Sequence, residues 1–523
     1  MKTILVPVVL LFLAITHYGN SAKILGLFTA PARSHYILGS ALMKGLAEKG
    51  HDVTVISAYG EKQPPKGKGT YRDIVVTEIQ NSIQEMLKNE KMSMVDRENL
   101  NPFFAALFVG HVVPKLMEPV LSNEGVQQLI HSKEKFDVVI IEQFLNDAQK
   151  ALATHFGAPL VLLSTVGANF WINSLVGNPG PTSYIPALSL GYTVPMTFRQ
   201  RLSNTLLTLL NEVYYPLYVH PNENAKIKKY IPNGPDISDV LYNVSLVLMN
   251  SHPSTNQPVP YVPNMIDIAG FHIKPPKKLP QDLQEFLDSA KDGVIYFSMG
   301  SNLKSADFLP EKRDAVLKTF STLKEKILWK WEDDVLPGQP KNVKLSKWLP
   351  QQDILAHPNV KLFITHGGFL STAETIYHGV PVLAIPIFGD QKLNAKSAVR
   401  NGFGIALPYS DLTEDTFAKS VHEILTNPKY KTNAKKRSEL FHDRLVGPME
   451  TAIYWIEYVI RHKGAPHLRV AAVDLPWYKY HLLDVIGFLV LVSLGLVLVS
   501  YYVVKIACRK LCSKQKSKKV KKH

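Results

Sequence analysis

The segment Val360–Pro386 does most to constrain what this chain can fold into. It reads VKLFITHGGFLSTAETIYHGVPVLAIP: an apolar run, a glycine turn, a helical stretch and a second apolar run. Val360–Thr365 is short and mostly apolar, the pattern of a strand buried on both faces of a parallel sheet. His366-Gly367-Gly368 turns the chain without side-chain bulk. Ser371–His378 has helical spacing and stops at Gly379, placed as a C′ glycine. Pro381–Pro386 is the returning strand. Strand, helix and parallel strand make a βαβ unit, which commits the chain to an open α/β sheet.

The polar residues around this unit suggest a ligand. A glycine turn feeding a helix leaves backbone N–H groups and the positive end of the helix dipole free, a natural phosphate site. Glu374, one turn into the helix, has the reach to hold two ribose hydroxyls. Asp390 and Gln391 follow a strand, at the edge where open α/β sheets hold ligands. Trp348, upstream, offers a flat face for a base. The turn alone is an ordinary βα connection; the full set is what points to a sugar nucleotide.

The same rhythm runs along the rest of the chain. Lys23–Phe28, Asp52–Ser57, Phe136–Ile141 and Pro159–Ser164 read as strands, and Ser40–Lys49 as a helix closing at Gly50. Residues 81–131 and 198–230 read as helical and able to line an acceptor pocket. Pro253–Pro280 holds seven prolines and reads as a linker. Gly293–Ser298, Ile327–Lys330 and Val343–Leu345 begin a second α/β run. Pro448–His462 reads as an amphipathic helix able to cross back onto the first run. The expected organisation is a leader at 1–21, a first α/β domain at 22–252, the linker at 253–280 and a second α/β domain at 281–445. A return segment at 446–484, an apolar span at 485–504 and a basic tail at 505–523 complete it.

Charge and hydropathy narrow the setting. With 523 residues the chain exceeds one core. Its net charge of +15 is concentrated in the tail, where Lys505–His523 carries nine Lys or Arg and no acid. No basic stripe with interleaved aromatics is present, which argues against nucleic acid. Met1–Ser21 has the charge, apolar run and small-residue end of a secretory leader. Val485–Val504 is uncharged and long enough to span a bilayer, with Trp477, Tyr478 and Tyr480 on one flank and Tyr501 and Tyr502 on the other. The basic tail places the C-terminus in the cytoplasm, so the expected topology is single-pass type I with a luminal body. The only cysteines, Cys508 and Cys512, lie past the span, which leaves the luminal part without disulfides. The sequon at Asn243 falls in a strand-like run, and occupancy is not expected.

The stretch from Trp348 to Gln391 closely resembles, without a gap, the signature box of the UDP-glycosyltransferases. That is an inverting family with two Rossmann-like domains facing a cleft, the GT-B fold. The resemblance implies that Trp348 stacks on uracil, Gln351 bonds the uridine and Glu374 holds the ribose. It implies that His366 and Ser371 meet the diphosphate, aided by the turn at Gly368 and by Thr372, and that Asp390 and Gln391 hold the sugar hydroxyls. The resemblance also implies that Ser301, in the glycine turn Ser298–Asn302, is a secondary donor contact. Where many members carry Asn, this chain has Leu370. The resemblance implies a UDP-sugar as co-substrate and calls for no metal or other cofactor.

No G-x-S-x-G, H-E-x-x-H or Cys/His cluster is present. His35, beyond the first strand, has the pKa to take a proton from an acceptor hydroxyl, and its placement resembles the family's catalytic histidine. Such a base needs an acidic partner. The family usually has Asp directly after the strand matching Phe136–Ile141; here that position is Glu142, favoured by register, with Asp147 the alternative. The membrane-anchored layout resembles the animal members, especially the insect type, which mostly use UDP-glucose. The resemblance implies a small lipophilic hydroxyl acceptor such as a phenol, steroid or pigment precursor. The terminal K-x-K-x-x pattern, Lys519–His523, looks like a retrieval signal for the endoplasmic reticulum. Self-association is left open.

Overall fold

A computed structural model describes residues 21–520, apart from 66, 90–92, 117 and 302. The expected leader therefore lies outside the described residues except for Ser21, as do Asn302 and the tail end 521–523. The chain divides into one compact unit ending at Arg469 and a second beginning at Val470.

The first unit contains two parallel sheets. In the first, β1 (Lys23–Phe28), β2 (Asp52–Ser57), β3 (Tyr71–Val75), β4 (Val138–Glu142), β5 (Leu160–Ser164), β6 (Val244–Met249) and β7 (Met265–Asp267) lie in the order 3-2-1-4-5-6-7. In the second, β8 (Val294–Ser298), β9 (Lys326–Lys330), β10 (Val343–Ser346), β11 (Val360–Thr365), β12 (Val382–Ala384) and β13 (Gly404–Ala406) lie in the order 10-9-8-11-12-13. Each order reverses once, between β1 and β4 and between β8 and β11. Such switch points open a crevice at the carboxyl ends of the strands.

Burial explains these strands. The five residues of β4, β5 and β8 are all buried, as expected for strands covered by helices on both faces. Ile24, Leu25 and Ile140 are fully buried, each stabilising the fold by about 1.5–3 kcal/mol relative to exposure. In the second sheet Phe297 stacks on Trp329 with ring centres 4.7 Å apart.

Several elements depart from the sequence reading. The helix expected over 40–49 begins at Arg33, so His35 sits in its first turn. Its N-cap, Ala32, makes no side-chain cap, which removed the usual start signal. The helix expected from Ser371 begins at Phe369, and Gly379 ends it at φ 62°. The stretch read as a linker contains β7, which pairs with β6 at the sheet edge; prolines flank such an edge strand without breaking the ladder. Residues 198–230 are helical, but Phe198, Leu202, Leu206, Leu209 and Val213 face outward, 48–70% exposed. The inward face carries Asn204, Leu207 and Asn211.

Two crossings fasten the halves of this unit together. The helix Pro448–Arg461 buries Ala452, Ile456 and Val459 in the core of the first sheet. In the other direction, the short helix Met94–Glu98 inserts Met94 among the buried residues of the second sheet. The Glu98 carboxylate accepts hydrogen bonds from the N–H groups of Tyr409 and Ser410, each at 2.8 Å.

The second unit is helical. Its helix Leu483–Val520 contains the one stretch, Leu483–Ser513, long and apolar enough among the described residues to cross a membrane.

Candidate active site

The carboxyl ends of β1 and β4 bring His35 and Glu142 together. His35 Nδ1 lies 2.5 Å from Glu142 Oε1. The carboxylate is fully buried and the ring 19% exposed. Phe144 meets the ring edge-on at 4.8 Å. Burial alone would lower the imidazole pKa. The Glu142 charge and hydrogen bond outweigh it, with Asp390 adding to them, and hold His35 above its ordinary 6.5.

Asp147 is placed elsewhere. Its Oδ1 accepts from Lys150 Nζ at 2.7 Å and from Gln143 Nε2 at 3.2 Å. Burial would raise this carboxyl, but Lys150 prevails and keeps it below the usual carboxylate value. The structure thus pairs Glu142, not Asp147, with His35.

On the second sheet, the turn after β11 leads into the helix Phe369–His378. Gly368 is its N-cap and makes no side-chain cap, so the first N–H groups lack intrahelical partners. Ser371 is buried, and Thr372 donates its hydroxyl to Gly368 O at 3.1 Å. His366 lies between two glycines: a Cβ added at Gly300 or at Gly368 would collide with its ring. Gly300 also has φ +84°, where side chains are disfavoured. Burial, assisted by the nearby Lys330 charge, pushes the His366 pKa down to about 4. The ring is therefore neutral, and its contribution to a diphosphate would be a hydrogen bond rather than a charge. Ser301, in the same turn as Gly300, is exposed.

Glu374 is the hub of the next cluster. Gln351 Nε2 donates to Glu374 Oε2 at 2.5 Å and to Ser371 Oγ at 3.0 Å. Gln352 Nε2 donates to Glu374 Oε1 at 3.0 Å. The hydroxyl of Tyr296, on β8, donates to Gln351 Oε1 at 3.2 Å. Trp348 is 54% exposed, and the Arg33 guanidinium lies 4.8 Å from its ring centre.

Asp390 and Gln391 open the helix Gln391–Arg400. Gln391 Oε1 accepts from the N–H groups of Ile387 and Phe388, at 2.8 and 3.1 Å. Asn394 Nδ2 donates to Asp390 Oδ2 at 2.7 Å and to Gly367 O at 2.9 Å. Burial pushes the Asp390 carboxyl up, while Asn394 and the His35 charge pull partly back. Asp390 on the second sheet and His35 on the first therefore sense each other's charge. Among the described residues, no group of three or more His, Cys, Asp or Glu is placed to hold a metal ion.

Sequence reading missed Arg33, Gln352 and Asn394. Asn394 stands at i+4 from Asp390 on a helix, a spacing that signals contact. Arg33 and Gln352 gave no comparable signal, because their partners come from other elements.

Comparison with known proteins agrees with this arrangement. Residues 22–520 match the model of the family described as UDP-glucoronosyl and UDP-glucosyl transferase. UDP-glycosyltransferase UGT5 of Dactylopius coccus is 40% identical, over 96% of each chain. UDP-glucosyltransferase 2 of the same insect is 35% identical over 98% of each, and human UDP-glucuronosyltransferase 2B7 is 28% identical over 90% of each. Among solved structures, the glycotransferase of kitacinnamycin aligns with a TM-score of 0.54 at 18% identity, over 84% of this chain and all of its own. The spinosyn forosaminyltransferase SpnP aligns with a TM-score of 0.53 at 16% identity, over 84% of this chain and 99% of its own. These neighbours share the GT-B architecture of two facing parallel sheets. The chain is a member of the UDP-glucoronosyl and UDP-glucosyl transferase family, with a UDP-sugar as co-substrate.

Proposed function

We propose that this chain transfers glucose from UDP-glucose to a hydroxyl of a small lipophilic acceptor, with inversion at the anomeric carbon. The observation that carries the reading is the pairing of His35 with Glu142 at one sheet edge, within electrostatic reach of Asp390 at the other. Nδ1 of His35 donates to the Glu142 carboxylate, which leaves the Nε2 lone pair free as a general base. That nitrogen takes the acceptor's hydroxyl proton as its oxygen bonds to the anomeric carbon. The bond from that carbon to the diphosphate oxygen breaks, and UDP leaves with the electron pair. Glu142 stabilises the imidazolium. The N–H groups of Leu370 and Ser371 at the start of the helix Phe369–His378, the Ser371 and Thr372 side chains and neutral His366 receive the diphosphate charge, with Ser301 at its margin. Trp348 stacks on uracil, Gln351 contacts the uridine, Glu374 holds the ribose, and Asp390 and Gln391 hold the sugar hydroxyls.

The choice of glucose is supported by the name of a 35% identical relative, UDP-glucosyltransferase 2. The apolar helix Leu483–Ser513 supports anchorage as a single-pass type I protein of the endoplasmic reticulum, with the catalytic body luminal. Full-length protein in lipid nanodiscs tests the reading. UDP release is followed with UDP-glucose, UDP-galactose and UDP-glucuronate against a panel of phenols and steroids, and product configuration is read by NMR. Turnover is expected with UDP-glucose and a β-linked product. An α-linked product, or release only with UDP-glucuronate, contradicts the reading.

A further inference from the structure

We propose that His272 is a positioning residue for Glu374, through which the segment between the two sheets sets recognition of the nucleotide's ribose. The inference rests on the reading of Glu374 as the ribose-holding carboxylate. His272 follows β7 by five residues and comes from the stretch that sequence alone marks as a linker. Its side chain is fully buried, and neither ring nitrogen has a hydrogen-bond partner among the described residues. Burying an imidazole in that condition is costly. The one acidic group within ion-pair distance among the described residues is Glu374, whose Oε1 lies 3.5 Å from His272 Nε2.

The same segment reaches Glu374 by a second route. Lys274 N–H donates to Gln352 Oε1 at 3.4 Å, and Gln352 Nε2 donates to Glu374 Oε1 at 3.0 Å. Lys277 N–H donates to Asp353 Oδ1 at 2.7 Å, fastening the segment to the helix Gln351–Leu355. The two carboxylate oxygens thus have different surroundings. Oε1 faces His272 and Gln352, while among the described residues Oε2 is held only by Gln351 Nε2. A carboxylate has about four acceptor sites. The Gln352 hydrogen bond to Oε1, with the His272 nitrogen beside the same oxygen at 3.5 Å, fixes the plane of the group and leaves acceptor capacity on Oε2 for the ribose hydroxyls. Were His272 only a space-filling core residue, its nitrogens would be dispensable.

The test compares kcat/KM for UDP-glucose with that for 2′-deoxy-UDP-glucose on full-length protein in nanodiscs. The ratio of the two values cancels the fraction of folded enzyme, so a partly misfolded variant remains informative. Wild type should prefer the ribose donor strongly, because a site built to bond a hydroxyl rejects the analogue lacking it. His272→Phe, which fills the ring's space without nitrogens, should reduce that preference about 3- to 10-fold. His272→Gln, which returns a donor, should recover most of it. Glu374→Ala should abolish it. A wild-type ratio in His272→Phe beside a flattened ratio in Glu374→Ala would overturn the positioning role and leave the ribose reading standing. A wild-type ratio in Glu374→Ala would overturn the ribose reading, and the positioning role with it.

Discussion

His35 and Glu142 stand 107 positions apart in the chain, yet Nδ1 of one lies 2.5 Å from Oε1 of the other. The pairing has a consequence for pH. As the proposed base, His35 would work only when neutral, and its pKa is held above 6.5 by Glu142 against the effect of burial. The value of kcat/KM should therefore fall as pH drops through that raised pKa. Glu142→Gln removes the charge and leaves burial dominant, so the acid limb should move to lower pH. The plateau rate should drop on the order of 100-fold or more. A pH–rate profile of the two proteins checks both effects.

Asp147 separates a structural role from a catalytic one. Its partner Lys150 is fully buried. Asp147→Ala would strand that ammonium without a counter-charge, at a cost of about 3–5 kcal/mol. Thermal unfolding should show a large loss, while the acid limb of the profile in the surviving enzyme stays where wild type has it.

The glycines around His366 offer a steric test. Gly300→Ala should raise KM for UDP-glucose about tenfold or more by displacing the ring and straining the turn at φ +84°. Gly157 is a control, since it has φ +63° but nothing within 4 Å of an added Cβ. Gly157→Ala should cost about 1 kcal/mol of stability and leave KM unchanged.

The contact of Glu98 with Tyr409 and Ser410 should be visible in amide exchange. Glu98→Ala removes the acceptor from two N–H groups. Each hydrogen bond to a carboxylate contributes about 1.5–3 kcal/mol. Exchange at those two amides should accelerate at least tenfold, with little change in the strands of the first sheet.

Trp348 supplies a test of the proposed uracil platform. Trp348→Ala should raise KM for UDP-glucose about 3- to 10-fold, the worth of one stacking contact, with kcat little changed. Trp348→Phe should recover part of the loss. Steady-state kinetics distinguish the two.

The parts legible in the sequence were those whose chemistry is local. β11, the glycine turn and the helix ending at Gly379 are contiguous, and period and glycine placement mark them out. The paired sheets were legible through apolar runs such as β4 and β8. β7 was hidden because prolines mask an edge strand, and β3 because only a partly buried run marks it. The start of the helix at Arg33 was hidden because Ala32 provides no cap. Register favoured Glu142 over Asp147, but only folding shows that Lys150 and Gln143 occupy Asp147. Glu98, His272 and Gln352 were invisible because each meets a group that pattern rules cannot reach across the chain.

The most direct measurement is the transfer rate and donor affinity of His35→Ala. Loss of the base should cut transfer from UDP-glucose by about 10²- to 10⁴-fold, while calorimetric binding of UDP stays within about twofold, since the groups proposed to hold the donor belong to the second sheet's half. Transfer at the wild-type rate in His35→Ala would contradict the assignment of His35 as the base and the mechanism built on it.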